Sequence, residues 1–505
     1  FIKSGSVLGF LIYFSTMKKK SLFLALAAGT LLSCQHTPEV AWVSTTFDEP
    51  WVTQPAVPVS ETGKEADIVI DPANTRQTID GFGTCFNELG WVSLNKLDAS
   101  VRDSILNEMF TPGVGANFTI CRMPVAANDF AVDWYSYNET AGDFEMKDFS
   151  IDHDRQTLIP FIQAALRYQP DLKIWASPWC PPSWMKYNKH YAGLSTMKMA
   201  RLLKERLKDG ESTYMTRVVD NGLPEDKEGK EGTDMFIQED AYLKAYALYF
   251  SKFIDAYRQE GIDIFAVMPQ NEFNSAQIFP SCCWTAKGLA NFVGKYLGPA
   301  MAEKNVEVMF GTMERANRAL VDTILQDKDC ARFVKGVGFQ WAGKDALPKV
   351  QAKYPDIKLY QTEQECGNGK NDWKGAAHSW DLMKHYLKNG VSVYEYWNTS
   401  LMEGGISRWG WAQNSLVVVD ENGKSFRYTP EYYIMKHVSH YVLPGAKRIE
   451  TSGSYEDVLA FVNTDNSIVV VIGNAEPTDK VVSFQINGIV YSPTLKANSV
   501  NTFKL

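Results

Sequence analysis

Cysteine is scarce: eight in 505 residues, scattered, with no Cys-x-x-Cys pair and no Cys/His spacing, which excludes a disulfide framework and a zinc-finger site. With Cys34 set aside, the remaining seven are an odd number, and a core of this size needs no staples. Basic charge is also short. The 51 Lys and Arg against 59 Asp and Glu leave a net charge of −8, so there is no footprint for nucleic acid or an anionic membrane surface. The run Gly81-Phe82-Gly83-Thr84-Cys85-Phe86 lacks the third glycine of the dinucleotide fingerprint, and no P-loop occurs. No cofactor is therefore expected. His437 and His440 stand three apart without a third ligand nearby and read as the exposed end of a helix, so no metal is expected either. There is no internal repeat and no low-complexity tract. Aromatic side chains, by contrast, are plentiful: 14 tryptophans and 13% aromatics in all, whose flat faces suit both a core and a neutral sugar.

The N-terminus carries an export signal. Met17 precedes Lys18, Lys19 and Lys20, an apolar run over 21–32 too short to span a bilayer, and then Ser33 and Cys34. Leu31-Leu32-Ser33-Cys34 resembles a bacterial lipobox, after which Cys34 is lipidated. The expected location is the periplasm or cell surface, with the membrane touched only through that anchor. Residues 1–16 precede a better start at Met17 and read as an over-extended gene model.

Residues 79–440 alternate short β-rich runs with helix-like stretches, the signature of a parallel sheet with helical crossovers. Eight runs, at 78–86, 117–123, 172–177, 263–268, 306–311, 334–339, 357–362 and 391–397, predict an α/β fold with a (β/α)8 barrel. Helices are predicted over 98–110, 153–168, 240–259, 285–303 and 379–388. Residues 441–505 are β-rich without helical period and predict a small β-sandwich, which strands from 41–78 join, while 1–40 hold the extension, signal and tether. A polar insertion at 186–236, with a helical piece over 197–208, follows the third strand and opens on the face where barrel active sites lie.

Barrel enzymes place reactive groups at the C-terminal strand ends. The fourth run leads into Pro269-Gln270-Asn271-Glu272 and the seventh into Gln361-Thr362-Glu363-Gln364-Glu365, with no lysine or arginine adjacent in sequence to make them local ion pairs. Two facing carboxyl groups are what glycoside hydrolysis with retention requires, and an asparagine beside one of them suits the sugar 2-hydroxyl. Glu365 rivals Glu363, because i and i+2 of a strand share a face.

These stretches, with Gly81-Phe82-Gly83, Arg122-Met123-Pro124-Val125-Ala126, Asp129-Phe130, Ala176-Ser177-Pro178-Trp179, Pro182-Ser183-Trp184-Met185-Lys186, Tyr396-Trp397-Asn398 and Glu403-Gly404-Gly405, resemble glycoside hydrolase family 30, in the branch of glucocerebrosidase and β-1,6-glucanases. The resemblance implies that Glu272 is the general acid/base and Glu363 the nucleophile. It implies sugar-binding roles for Glu88, Trp179, Asn271 and Trp397, and an orienting role for Arg122 at the nucleophile. At the sixth strand end Gln340-Trp341-Ala342 departs from the family's histidine and aromatic pair, leaving its tyrosine position empty. Gln340 is nonetheless placed in the cleft, and Trp409, Trp411 and Trp284 look suited to a second sugar. The expectation is a β-1,6-glucanase, with a glucosylceramidase or an exo-acting β-glucosidase or β-xylosidase as alternatives. A surface carbohydrate-binding lipoprotein with a dead barrel is the non-enzyme alternative, and it has no need of both Glu272 and Glu363.

Overall fold

The computed structural model describes residues 40–60, 65–208, 215 and 217–505; the signal and Cys34 lie outside the described residues. Eight parallel strands close into a barrel: β1 (Gly81–Cys85), β2 (Ile120–Val125), β3 (Lys173–Pro178), β4 (Ile264–Val267), β5 (Glu307–Met313), β6 (Val334–Gln340), β7 (Lys358–Glu363) and β8 (Val393–Asn398). They are buried on both faces, as near-continuous runs of Val, Ile, Phe and Met require. Ile120, Trp175, Ala266, Met309, Tyr360 and Val393 pack as one cluster drawn from six of the eight strands, which fills the barrel. Strands β1 and β2 approach so closely that a methyl group at Gly83 would meet the Ile120 carbonyl, so no larger residue fits there.

The crossover helices bury one stripe against the strands. In Asp240–Gln259 the stripe is Leu243, Tyr246, Phe250, Phe253, Ile254 and Tyr257, at the three- and four-residue spacing that puts side chains on one face. Some starts are capped by side chains: Asn87 accepts from the Gly90 amide at 2.8 Å, and Asp372 opens Trp373–Lys388 six residues ahead of the predicted start at 379. The predicted 285–303 helix contains a π-helical turn at Val293–Leu297. Second strand β2 begins after 117 because Asn117 takes a left-handed φ of 53°, which ends extended structure.

The second layer is a nine-stranded sheet. Ala41–Thr45 and Ile68–Thr78 from the N-terminal side pair with Ser499–Lys504 and Lys447–Gly453 from the C-terminal side. Its core is Trp42, Ile68, Ile449, Val470, Phe484 and Phe503. His437 joins the two layers and corrects the exposed-helix-end reading. It is fully buried in the helix Pro430–Ser439, with Nδ1 2.8 Å from Thr502 Oγ1 and Nε2 2.8 Å from Thr45 Oγ1. Burial pushes its pKa down to about 3, so the ring is neutral.

Candidate active site

Glu272 stands just past the end of β4, held by its backbone. Its φ is 44°, its amide donates to Thr312 Oγ1 at 2.9 Å, and Gln270 Nε2 ties the turn to the carbonyls of Trp179 (2.7 Å) and Asn271 (2.9 Å). A left-handed non-glycine residue stored at a site is strain that the surroundings must hold. Glu363 is the last residue of β7, where the register against β6 slips between Gln361 and Glu363 and sets Glu363 opposite Gln340.

Gln340 lies between the two carboxyl groups. Its Nε2 is 3.1 Å from Glu272 Oε1 and 3.2 Å from Glu363 Oε2. Two oxygens bonded to one nitrogen are no farther apart than those two bonds laid end to end, which falls short of the roughly 6.5–9.5 Å of an inverting pair. The environments of the two differ. Glu363 accepts from Arg122 Nη1 at 3.0 Å, Trp341 Nε1 at 2.9 Å and Gln340, whereas Glu272 has Gln340 and a long contact of 3.5 Å from Gln277. Burial and then the Glu363 charge push Glu272 up to about 7, while burial raises Glu363 against the opposing pull of Arg122, Trp341 and Gln340. At neutral pH the proton that the pair retains therefore sits on Glu272.

Arg122 is fully buried, and its fork organises the floor. Besides Glu363, it donates to Ser177 Oγ (2.9 Å from Nη2), Asn271 Oδ1 (2.7 Å) and the Thr362 carbonyl (3.1 Å), and Trp179 covers it at 4.4 Å. Arg122 thus meets Glu363 as its orienting role requires, and Gln340, fully buried between the two carboxyl groups, does not line the cavity, which corrects its placement in the cleft. Arg122 also pairs with Glu363 in space despite its distance in sequence. Glu365 is eliminated as the rival: Lys344 Nζ at 2.7 Å and His378 Nε2 at 2.9 Å hold it as an ion pair, below its ordinary pKa.

A cavity of about 170 Å³ opens over the pair, lined by Asp129, Trp179, Asn271, Gln277, Trp341 and Trp411 among others. Trp397 stacks behind Trp179 at 5.2 Å and is itself fully buried. Glu88 does not reach the cavity: its carboxylate is used by His153 and Thr157 (both 2.8 Å) and the Val132 amide (2.9 Å). The carboxylate that does reach it is Asp129, whose Oδ1 is buried with no partner among the described residues, and whose pKa is raised by burial and by both glutamates. It lies seven residues beyond Arg122 in the Asp129-Phe130 pair, a stretch among those quoted for the family resemblance but given no site role of its own. Trp341, which the sequence reading gave no role, donates to Glu363 from a left-handed backbone (φ 47°).

The other tryptophans divide. Trp411 lines the cavity and meets Phe279 edge-on at 6.0 Å. Trp409 is buried beneath Trp134 (4.8 Å), and Trp284 is enclosed by Phe236 (4.5 Å) and Phe292 (5.5 Å), so both are core and neither can meet a second sugar. The 186–236 insertion reaches the cleft indirectly: Met215 bridges to Trp411, and Arg217 packs its carbonyl under Gly410.

A closed parallel barrel with a buried pair of unequal carboxyl groups at its C-terminal strand ends defines a glycosidase. The chain belongs to glycosyl hydrolase family 30: the family's TIM-barrel domain matches residues 79–221 and 225–442, and its beta sandwich domain matches 445–503. It is 28% identical to an endo-1,6-beta-D-glucanase of Aspergillus fumigatus, over 89% of both chains. It is 25% identical to the lysosomal acid glucosylceramidase of Mus musculus, over 84% of this chain and 80% of that one. Among solved structures, the endo-beta1,6-glucanase BT3312 superposes with a TM-score of 0.76 at 23% identity, covering 92% of this chain and 99% of that one. Hydrolysis of β-glycosides is the activity these relatives share with it.

Proposed function

We propose that the chain cleaves β-linked glucosides with retention, Glu363 attacking the anomeric carbon and Glu272 handling the proton, and that its substrate is a β-1,6-linked glucan. In the first step a Glu363 oxygen bonds to the anomeric carbon as the glycosidic C–O bond breaks, and Glu272 passes its proton to the departing oxygen. In the second, Glu272 takes a proton from water, whose oxygen displaces Glu363 and restores both groups. The observation that carries this reading is the single Gln340 nitrogen reaching both carboxyl groups. Arg122 and Trp341 favour the ionised Glu363 that attack needs. Asp129, with an unpaired buried oxygen, is placed to accept from sugar hydroxyls.

The polymer is favoured over ceramide by the rim. Trp411, Gln277 and Gln413 offer one flat face and two amides beside Glu272, a set that suits a further sugar on the leaving side. Early products read by NMR test the mechanism, and the β-anomer is expected first; an initial α-anomer ends the retaining reading. Parallel rates on β-1,6-glucan, glucosylceramide and nitrophenyl β-glucoside, β-xyloside and β-fucoside test the substrate, and faster cleavage of the ceramide returns the chain to a glucosylceramidase. Export and lipidation at Cys34 are part of the proposal. They are checked by palmitate labelling that a Cys34→Ala variant loses.

A further inference from the structure

A cavity of about 800 Å³ lies at the opposite end of the barrel from the carboxylates. Its walls are the residues that enter the first three strands, among them Asp80, Asn117 and Lys173, together with the turn after the Pro430–Ser439 helix and Lys504 of the sheet. Two features set it apart from a seam that merely fails to close. Asn117 and Gln169 both line it, only 5% and 6% exposed, and neither side chain has a hydrogen-bond partner among the described residues. Their amide atoms are not among the fully enclosed unpaired groups of the described residues, so both open onto the cavity and are free to bond what fills it.

The chemistry of the lining selects the ligand. Asn and Gln are side chains that donate and accept at once, which matches hydroxyl groups, since these do the same. The lining acids, Asp80 and Asp171, are balanced by Lys173 and Lys504, and Asp80 is bonded besides by Lys358 at 2.6 Å, so this is no anion site. Tyr441, Leu443 and Pro444 supply apolar wall for the C–H face of a ring. We propose that this cavity is a second, non-catalytic binding site for a sugar unit of a neutral glycan, holding the polymer at the barrel–sheet seam while the cleft at the other end works on it. The choice of glycan as ligand rests on the substrate proposed above.

The test uses the full chain carrying Glu363→Gln to stop cleavage, run by affinity electrophoresis through neutral β-1,6-glucan. Adding Gln169→Leu or Asn117→Asp should weaken retention roughly tenfold, as expected when one hydrogen-bonding group is removed from a buried polar contact. In the otherwise wild-type chain the same changes should leave nitrophenyl β-glucoside turnover and Tm unaltered. Asn117→Asp keeps shape and tolerance of the left-handed backbone, so it decides the matter if Gln169→Leu does not fold. Retention untouched by both changes, or sensitivity to them only with an acidic polysaccharide, overturns the proposal. Glucan cleaved with retention indifferent to both residues removes this site alone. Glucan retained through them yet never cleaved removes the substrate reading and leaves the site standing.

Discussion

At the scale of single residues, the reaction depends on which carboxyl group keeps the proton, and hydrogen-bond donors decide it. Three N–H groups converge on Glu363 and one short donor on Glu272, so activity should fall on the alkaline side near the value of about 7 to which burial and Glu363 push Glu272. The acid side reports Glu363. Trp341→Phe removes a donor to its anion, so the acid limb of kcat/KM should move up by about one pH unit, the scale of a lost hydrogen bond to a charged acceptor. An unchanged limb would mean that Trp341 only packs. Glu363→Gly should lose turnover by several orders of magnitude and recover with added azide, whereas Glu365→Gln, which only breaks the pairs with Lys344 and His378, should be mild. Glu272 and Glu363 were legible in the sequence because a strand end has no structural use for a carboxylate. Asp129 and Glu88 were not separable, since a chain that leaves a strand does not reveal which of two acids turns inward. Arg122 was legible as the group that orients Glu363, whereas Gln340 was expected in the cleft and is buried between the carboxyl groups without lining the cavity.

At the scale of elements, the loop after β8 carries two tryptophans two residues apart, and they face opposite ways. Trp411 looks into the cleft and is braced by Met215 of the insertion, while Trp409 is covered by Trp134. Trp411→Ala should therefore weaken glucan cleavage by about 1 kcal/mol, an aromatic contact of ordinary strength, with nitrophenyl glucoside less affected. Trp409→Ala should instead lower Tm, because it opens a core cavity worth about 3–5 kcal/mol. Equal losses on both substrates for Trp411→Ala would place it in the first subsite. The spacing of the two residues predicted a shared role, and only packing separates them. The long helices and all eight strands were readable from periodicity and apolar runs. The short helices Glu88–Leu94 and Leu347–Lys353 were not, since two turns bury too few residues to set up a period. The small sheet Ser400–Met402, Val417–Val419 and Phe426–Tyr428 was also missed, its three-residue strands being hidden in a loop.

At the scale of the whole molecule, barrel and sheet are joined through His437, and the join should be pH-sensitive. The Thr502 hydroxyl donates to the His437 carbonyl at 2.8 Å, so its oxygen is left to accept from Nδ1–H. Thr45 Oγ1 accepts from the Trp51 amide at 2.9 Å, so its hydroxyl is left to donate to Nε2. That pattern needs a neutral ring, and a second ring proton would confront the Thr45 hydroxyl. The folded pKa of about 3 lies below the roughly 6.5 of an unfolded histidine, so between those values the unfolded chain binds the extra proton. The stabilisation is therefore complete above about pH 6.5 and is lost as pH falls toward 3. Other buried groups act in the opposite sense: Asp154 and Glu431 are raised to about 6 and about 7, and they stabilise the fold as it becomes more acidic. The net Tm profile of the wild type cannot isolate one histidine, but a difference between two proteins can. His437→Gln retains one donor and one acceptor and does not titrate. Its Tm should be lower at pH 7.5, where the wild-type contact is intact, and the gap to wild type should narrow as pH is taken to 4.5. A gap that is constant across that range would mean that His437 already shares its proton with solvent, and that the seam between barrel and sheet does not depend on its charge.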